Sequence, residues 1–205
     1  RVLDMGRPVL LTDVDIALIK DPFPYFEHES DIQIQYGQSA VHNPDYPMTG
    51  GEPRGPSGSA HAYMCTGFVY VRPTDASRRM VADTLDRLAN PPRTRYNDQD
   101  AFNDAYQHAG KDRCSVRVLD PAEFPVGSIY TARTPYGRYV RENSAILHAN
   151  YWVGVAAKIA ALKTAGLWFT RIPSEMRWTV LKARLREQRL LVKVYRFLRS
   201  VIIPR

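Results

Sequence analysis

Val9-Leu10-Leu11-Thr12-Asp13-Val14-Asp15-Ile16-Ala17-Leu18-Ile19-Lys20-Asp21-Pro22-Phe23, "VLLTDVDIALIKDPF", runs an apolar stretch into two aspartates one residue apart. Residues 9–14 read as a strand, and side chains at i and i+2 of a strand point to the same side. Asp13 and Asp15 then project together from its C-terminal end, where open α/β sheets bind their ligands. Two like charges held that close repel, and a cation removes the conflict. Oxygen ligands suit a hard divalent ion such as manganese or magnesium. The competing reading is a turn in which the aspartates cap backbone N–H groups. These fifteen residues alone leave both open.

Outward from this stretch, Asp31-Ile32-Gln33-Ile34-Gln35-Tyr36 alternates cleanly and reads as a half-buried strand. Residues 38–61 hold Gly50, Gly51, Gly55 and Gly58 with Pro44, Pro47, Pro53 and Pro56, a long polar loop that reads as a mobile lid or a disordered segment. Thr66-Gly67-Phe68-Val69-Tyr70-Val71 is a further strand. Thr74 is an N-cap candidate for a helix whose Met80, Val81, Leu85 and Leu88 share a face. Asp98 is a second cap candidate, for a helix running to about Gln107 with Gly110 past its end. Residues 116–119 and 145–147 read as strands, and residues 151–165 as an Ala-rich helix stopped by Gly166. Strands alternate with helices, so the class is α/β.

The length of 205 residues and 44% hydrophobic content allow one sizeable core and an appendage. There is no 18-residue apolar run and no visible signal peptide. The chain reaches the Asp13 strand almost at once and lacks an initiator Met, which points to a piece of something longer. Cys65 and Cys114 have no metal-binding spacing; they form one disulfide in an oxidising compartment or remain two buried thiols. The net charge of +7 is uneven: residues 171–205 carry ten Lys/Arg and two acidic residues (10 − 2 = +8), and residues 1–170 carry 18 basic and 19 acidic (18 − 19 = −1). The basic character belongs to the tail and does not mark a nucleic-acid binder. In that tail Lys182, Arg186, Arg189, Lys193 and Arg196 fall on one helical stripe. The stripe reads as the solvated edge of a packed helix, or as an interfacial helix in peripheral contact with an anionic membrane.

Three further segments join the first: Cys65-Thr66-Gly67-Phe68-Val69-Tyr70-Val71-Arg72-Pro73, Asn97-Asp98-Gln99-Asp100-Ala101-Phe102-Asn103, and Leu147-His148-Ala149-Asn150-Tyr151-Trp152-Val153-Gly154-Val155-Ala156-Ala157-Lys158. With the D-x-D stretch and its continuation at Asp21, Pro22 and Phe23, their order resembles the nucleotide-diphospho-sugar transferases. These are GT-A glycosyltransferases of the family 77 type, related to the retaining enzymes of family 8. The resemblance covers residues 9–168 and implies a Rossmann-like mixed sheet flanked by helices, here without the first βα portion that precedes D-x-D and binds the base. It also implies a catalytic domain over residues 1–170 and a basic amphipathic helical tail over 171–205.

The resemblance implies roles residue by residue. Asp13, Asp15 and His148 match the metal ligands, holding manganese or magnesium on the donor diphosphate. Lys158, one turn after Gly154, matches the lysine on the phosphates. Thr66 and Gly67 fall where the donor or acceptor sugar is lined, and Asp98, Gln99 and Asp100 where related enzymes contact the transferred sugar. The implied reaction moves a sugar from a nucleotide-diphosphate sugar to a hydroxyl of a glycan or glycoprotein acceptor, with retention. The implied compartment is the Golgi lumen for a eukaryotic source, with a membrane anchor upstream, and the cytoplasm for a bacterial one. Two other functions compete. Haloacid-dehalogenase-like phosphohydrolases also open on an apolar strand ending in D-x-D, but Ile16 and Ala17 do not supply the small polar residue they need soon after. A non-catalytic remnant of the transferase fold is the other.

Overall fold

The computed structural model describes residues 1–37, 63–109, 113–131, 135–168 and 177–182. The expected lid, Gly110, the expected domain boundary at 170 and the basic stripe beyond Lys182 lie outside these residues. The chain forms two compact units, Arg1–His148 and Ala149–Arg205.

In the first unit the order is β1 (Val9–Thr12), β2 (Ile16–Leu18), β3 (Ile32–Tyr36), β4 (Met64–Val71), α1 (Asp75–Ala89), α2 (Asp98–Ala109), β5 (Val116–Val118), α3 (Gly127–Tyr130), α4 (Pro135–Asn143) and β6 (Ile146–His148). Four strands form a sheet in the order β1-β4-β3-β5, and β2 and β6 form a second, two-stranded sheet. β4 is antiparallel to β1 and β3, whereas β3 and β5 run parallel. Helix α2 packs on β4 and on α1. This is the mixed α/β architecture expected of a GT-A-like domain.

The aspartate pair does not sit on the strand. β1 ends at Thr12, and Asp13-Val14-Asp15 forms the connection that carries the chain from the first sheet into the second. The i, i+2 argument therefore places the pair correctly for the wrong reason, since a tight turn brings the carboxylates together. The turn is pinned on both sides. Leu10 of β1 and Ile16 of β2 pack against one core cluster of Phe68, Leu119, Phe124, Ala145 and Ile146. Phe26 joins it and stacks on Tyr70, with ring centroids 4.2 Å apart. Each fully buried side chain of this size contributes about 1.5–3 kcal/mol, so the turn is anchored to a firm base.

Strand β3 is not half-buried. All five residues are buried, and Gln33 and Gln35 are fully enclosed. Enclosed amides are tolerated only when hydrogen-bonded, and these are. Gln33 donates through Nε2 to the Glu27 carbonyl (2.7 Å) and accepts from the Glu27 N–H (3.2 Å). Thr74 caps α1 as expected, in a reciprocal capping box with Ser77. The expected apolar face of α1 is only partly used: Met80 is buried, but Leu85 is exposed. At α2 the cap is Asn97 rather than Asp98. Asn97 Oδ1 accepts from Asp100 N (2.9 Å), and Asp100 Oδ2 accepts from Asn97 N (3.3 Å). Cys65 and Cys114 are buried free thiols, not a disulfide.

In the second unit, α5 (Val155–Thr164) starts at Gly154, whose φ of 87° is in the left-handed region. It stops before Gly166, with φ 73°. Residues 177–182 are helical, and Val180 packs on Ile159 and Ala160. Among the described residues no helix is long and apolar enough to cross a membrane.

Candidate metal centre

Two strand ladders meet at the D-x-D turn. The β1/β4 pairing continues as a hydrogen bond from Asp13 N to the Gly67 carbonyl, 2.7 Å. The β2/β6 pairing sets Ile16 opposite His148, one residue from Asp15. The consequence is convergence. His148 Nε2 lies 3.5 Å from Asp13 Oδ2 and 3.5 Å from Asp15 Oδ1. One ligand atom from each residue lies within 4.8 Å of the others. Exposure is graded: the His148 side chain is 2% exposed, Asp15 11% and Asp13 57%. The imidazole forms a floor, Asp15 a wall, and Asp13 the rim through which a ligand reaches solvent.

Gly67 explains how the cluster fits against β4. A Cβ there would fall well inside contact distance of His148 Cε1, 2.7 Å from Asp13 Oδ2 and 3.1 Å from Asp13 Cγ. Gly67 thus serves the centre by lacking a side chain. The donor set of two carboxylates and one imidazole, with space left open beside it, fits a manganese- or magnesium-type ion. Cys65 lies on the far side of the ring, Sγ 3.8 Å from His148 Nδ1. Burial pushes its thiol up to about 12, with Asp13, Asp15 and Asp98 adding to the rise and the Gly67 backbone opposing it. It stays a neutral thiol at ordinary pH and offers no soft thiolate ligand.

The other expected residues divide. Thr66 Oγ1 donates to Asp98 Oδ2 (2.8 Å), and both belong to the neighbourhood of Cys65 and the aspartates. Asp98 is exposed. Gln99 and Asp100 are half-buried. Asp100 is engaged by Arg93 (3.1 Å), by the Tyr63 hydroxyl (3.3 Å) and by the Asn97 N–H. The Gln99 side chain also hydrogen-bonds Tyr63. Gly154 and Lys158 belong to the second unit, where Lys158 N donates to the Gly154 carbonyl in the first turn of α5 (3.2 Å).

Two residues of the site escaped the sequence reading of roles. Asn103, the last residue of the quoted α2 segment, binds both backbone groups of Met64: Oδ1 accepts from its N–H and Nδ2 donates to its carbonyl, each at 2.9 Å. This pair of hydrogen bonds fixes the strand start from which Thr66 and Gly67 follow. Gln35 lies against the His148 ring. No signal short of the fold marks it, because a glutamine in an alternating strand reads as solvent-facing.

Replacing His148 by Ala is expected to raise the manganese concentration needed for half-maximal activity by about 10-fold or more. It is also expected to lower stability by about 1–3 kcal/mol, because Gln35 loses a buried partner. A manganese titration and a denaturant melt check the two parts, and an unchanged titration would leave His148 with a packing role alone.

The profile of the nucleotide-diphospho-sugar transferase family matches residues 1–162. A UDP-D-xylose:L-fucose alpha-1,3-D-xylosyltransferase of Arabidopsis thaliana is 28% identical over 174 residues, covering 82% of this chain and 46% of the relative. A second xylosyltransferase of that description is 25% identical over 177 residues, covering 82% and 46%. An arabinosyltransferase of the same plant is 29% identical over 169 residues, covering 73% and 37%. The chain thus spans less than half the length of these curated relatives. No solved structure gives a significant match. Nothing in these likenesses favours a phosphohydrolase. With the match running through both the D-x-D turn and His148, the chain belongs to the nucleotide-diphospho-sugar transferases.

Proposed function

We propose that this chain takes part in metal-dependent transfer of a sugar, a pentose in particular, from a nucleotide-diphosphate donor to a hydroxyl of a glycan, with retention at the anomeric carbon. The observation that carries the reading is the convergence of Asp13, Asp15 and His148 on one point beside the side-chain-free Gly67. The pentose comes from the names of the relatives, which are xylosyl- and arabinosyltransferases.

A manganese or magnesium ion held there would neutralise charge on the departing diphosphate. The chain's residues do the rest. Asp13 and Asp15 would hold the ion with carboxylate oxygens, and His148 would offer Nε2 from the buried floor. Asp98, exposed and oriented by the Thr66 hydroxyl, faces the sugar and stabilises positive charge developing at the anomeric carbon. Gln99 and Asp100 shape the helix start that carries Asp98, through Tyr63, Arg93 and Asn97. The role of Lys158 on the phosphates rests on the family resemblance alone. Transfer with retention needs no general base of the kind that Glu123 or Asp120 would supply for inversion; the departing phosphate accepts the acceptor proton on the same face.

Incubation with manganese, UDP-xylose and a fucose-bearing acceptor, read by UDP release and by proton NMR of the first-formed product, tests the proposal. Manganese-dependent release and an α-linked product are expected from an α-linked donor. A β-linked product would overturn retention. An inert chain would support a non-catalytic role, and phosphate release from a phosphomonoester would support the phosphohydrolase.

A further inference from the structure

We infer that Gln35 is the positioning residue of the metal centre, locking His148 as the tautomer with its proton on Nδ1 and its lone pair on Nε2. The inference rests on the metal reading above.

Gln35 Nε2 donates to two backbone carbonyls, Phe124 O at 3.1 Å and Pro125 O at 2.9 Å. Carbonyl oxygens only accept, so the NH₂ end must face them and the amide cannot be flipped. Oε1 is thereby turned to His148 Nδ1, 2.7 Å away. An amide oxygen also only accepts, so Nδ1 must carry the hydrogen. A neutral imidazole with its proton there has its lone pair on Nε2, the nitrogen 3.5 Å from both aspartates. A ligand histidine whose other nitrogen donates to a fixed acceptor is held in both tautomer and orientation.

The scaffold makes the lock rigid. Gln35 and His148 are both almost wholly enclosed. The anchoring carbonyls belong to the segment whose next residue, Val126, bridges His148 itself. Between Ile34 and Gln35 the partner on β4 jumps from Val69 to Cys65. That irregularity frees residues 66–68 from β3 just where Gly67 must pass under the ring, the kind of strand defect that re-aims residues beside a site.

The test is long-range ¹H–¹⁵N NMR of the imidazoles in the metal-free chain, with the His148 signals among the five histidines identified by their loss in His148→Ala. The wild type is expected to show a protonated Nδ1. Gln35→Leu is expected to mix the tautomers and raise the manganese Kd about 10-fold or more. Gln35→Glu, which keeps an oxygen at Nδ1, is expected to retain the tautomer. A wild-type ring with no proton on Nδ1 would overturn the inference. So would a Gln35→Leu chain with unchanged tautomer and unchanged manganese Kd. If Gln35→Leu does not fold, the wild-type and Gln35→Glu spectra still decide. Manganese that ignores Asp13→Asn while the tautomer is as expected would sink the metal reading and spare the hold of Gln35 on the ring.

Discussion

Asp13→Ala and Asp15→Ala are each expected to lower manganese-dependent sugar transfer by more than about 100-fold while the chain keeps its fold. The loss of a partner that supports a ligand already costs a metal site about 10–100-fold, and these residues would face the ion directly. Stability behaves differently. Without metal, two like-charged carboxylates crowd one point, so the apo fold carries repulsion that truncation relieves. The turn itself is held by Leu10 and Ile16 in the core and by the Asp13 N–H on the Gly67 carbonyl, none of which needs the Asp13 carboxylate. Asp13 is more than half exposed, so its removal also leaves no buried void. The metal-free thermal midpoint of Asp13→Ala should stand at or above that of the wild type. The checks are UDP release across a manganese titration and a melt in chelator. Near-normal turnover in either variant would remove the aspartates from the site.

Gly67→Ala is expected to damage the site and the fold together. Its methyl would intrude on His148 Cε1 and on the Asp13 carboxylate. Asp13 can swing toward solvent, but the His148 ring cannot retreat, because it is enclosed and tied to Gln35. Overpacking of this kind typically costs about 1–3 kcal/mol. The displaced carboxylate should also weaken manganese binding by about 10-fold or more. The two losses separate experimentally: saturating manganese should restore part of the turnover but not the melting midpoint measured in chelator. A variant with wild-type manganese affinity would mean that β4 does not form the underside of the centre.

The residues of the candidate site were more legible than its geometry. Asp13 and Asp15 could be singled out from residue type and spacing, and His148 through the family resemblance, and the structure brings their donor atoms together. How they come together was not legible. A run such as Val9-Leu10-Leu11-Thr12 fixes a strand, but pairing partners decide where it ends. Here β4 stops pairing with β1 at Thr12, and β6 takes over at Ile16. Gln35 was invisible for a related reason. Alternation in Ile32-Gln33-Ile34-Gln35-Tyr36 implies one wet face, yet both faces of β3 are covered, and Gln35 meets the interior through hydrogen bonds made with residues 89 to 113 positions away. The cap of α2 was missed by one residue because Asn97 and Asp98 are both good caps, and only the reciprocal bond to Asp100 distinguishes them.

The central claim is that Asp13, Asp15 and His148 Nε2 hold one divalent ion. Anomalous diffraction from crystals soaked in manganese, collected on both sides of the metal's absorption edge, tests it most directly. The account predicts a single strong peak within bonding distance of the Asp13 and Asp15 carboxylates and of His148 Nε2, with Nδ1 still facing Gln35 Oε1. A peak elsewhere, or none at these three residues in crystals that stay intact at millimolar manganese, would contradict it.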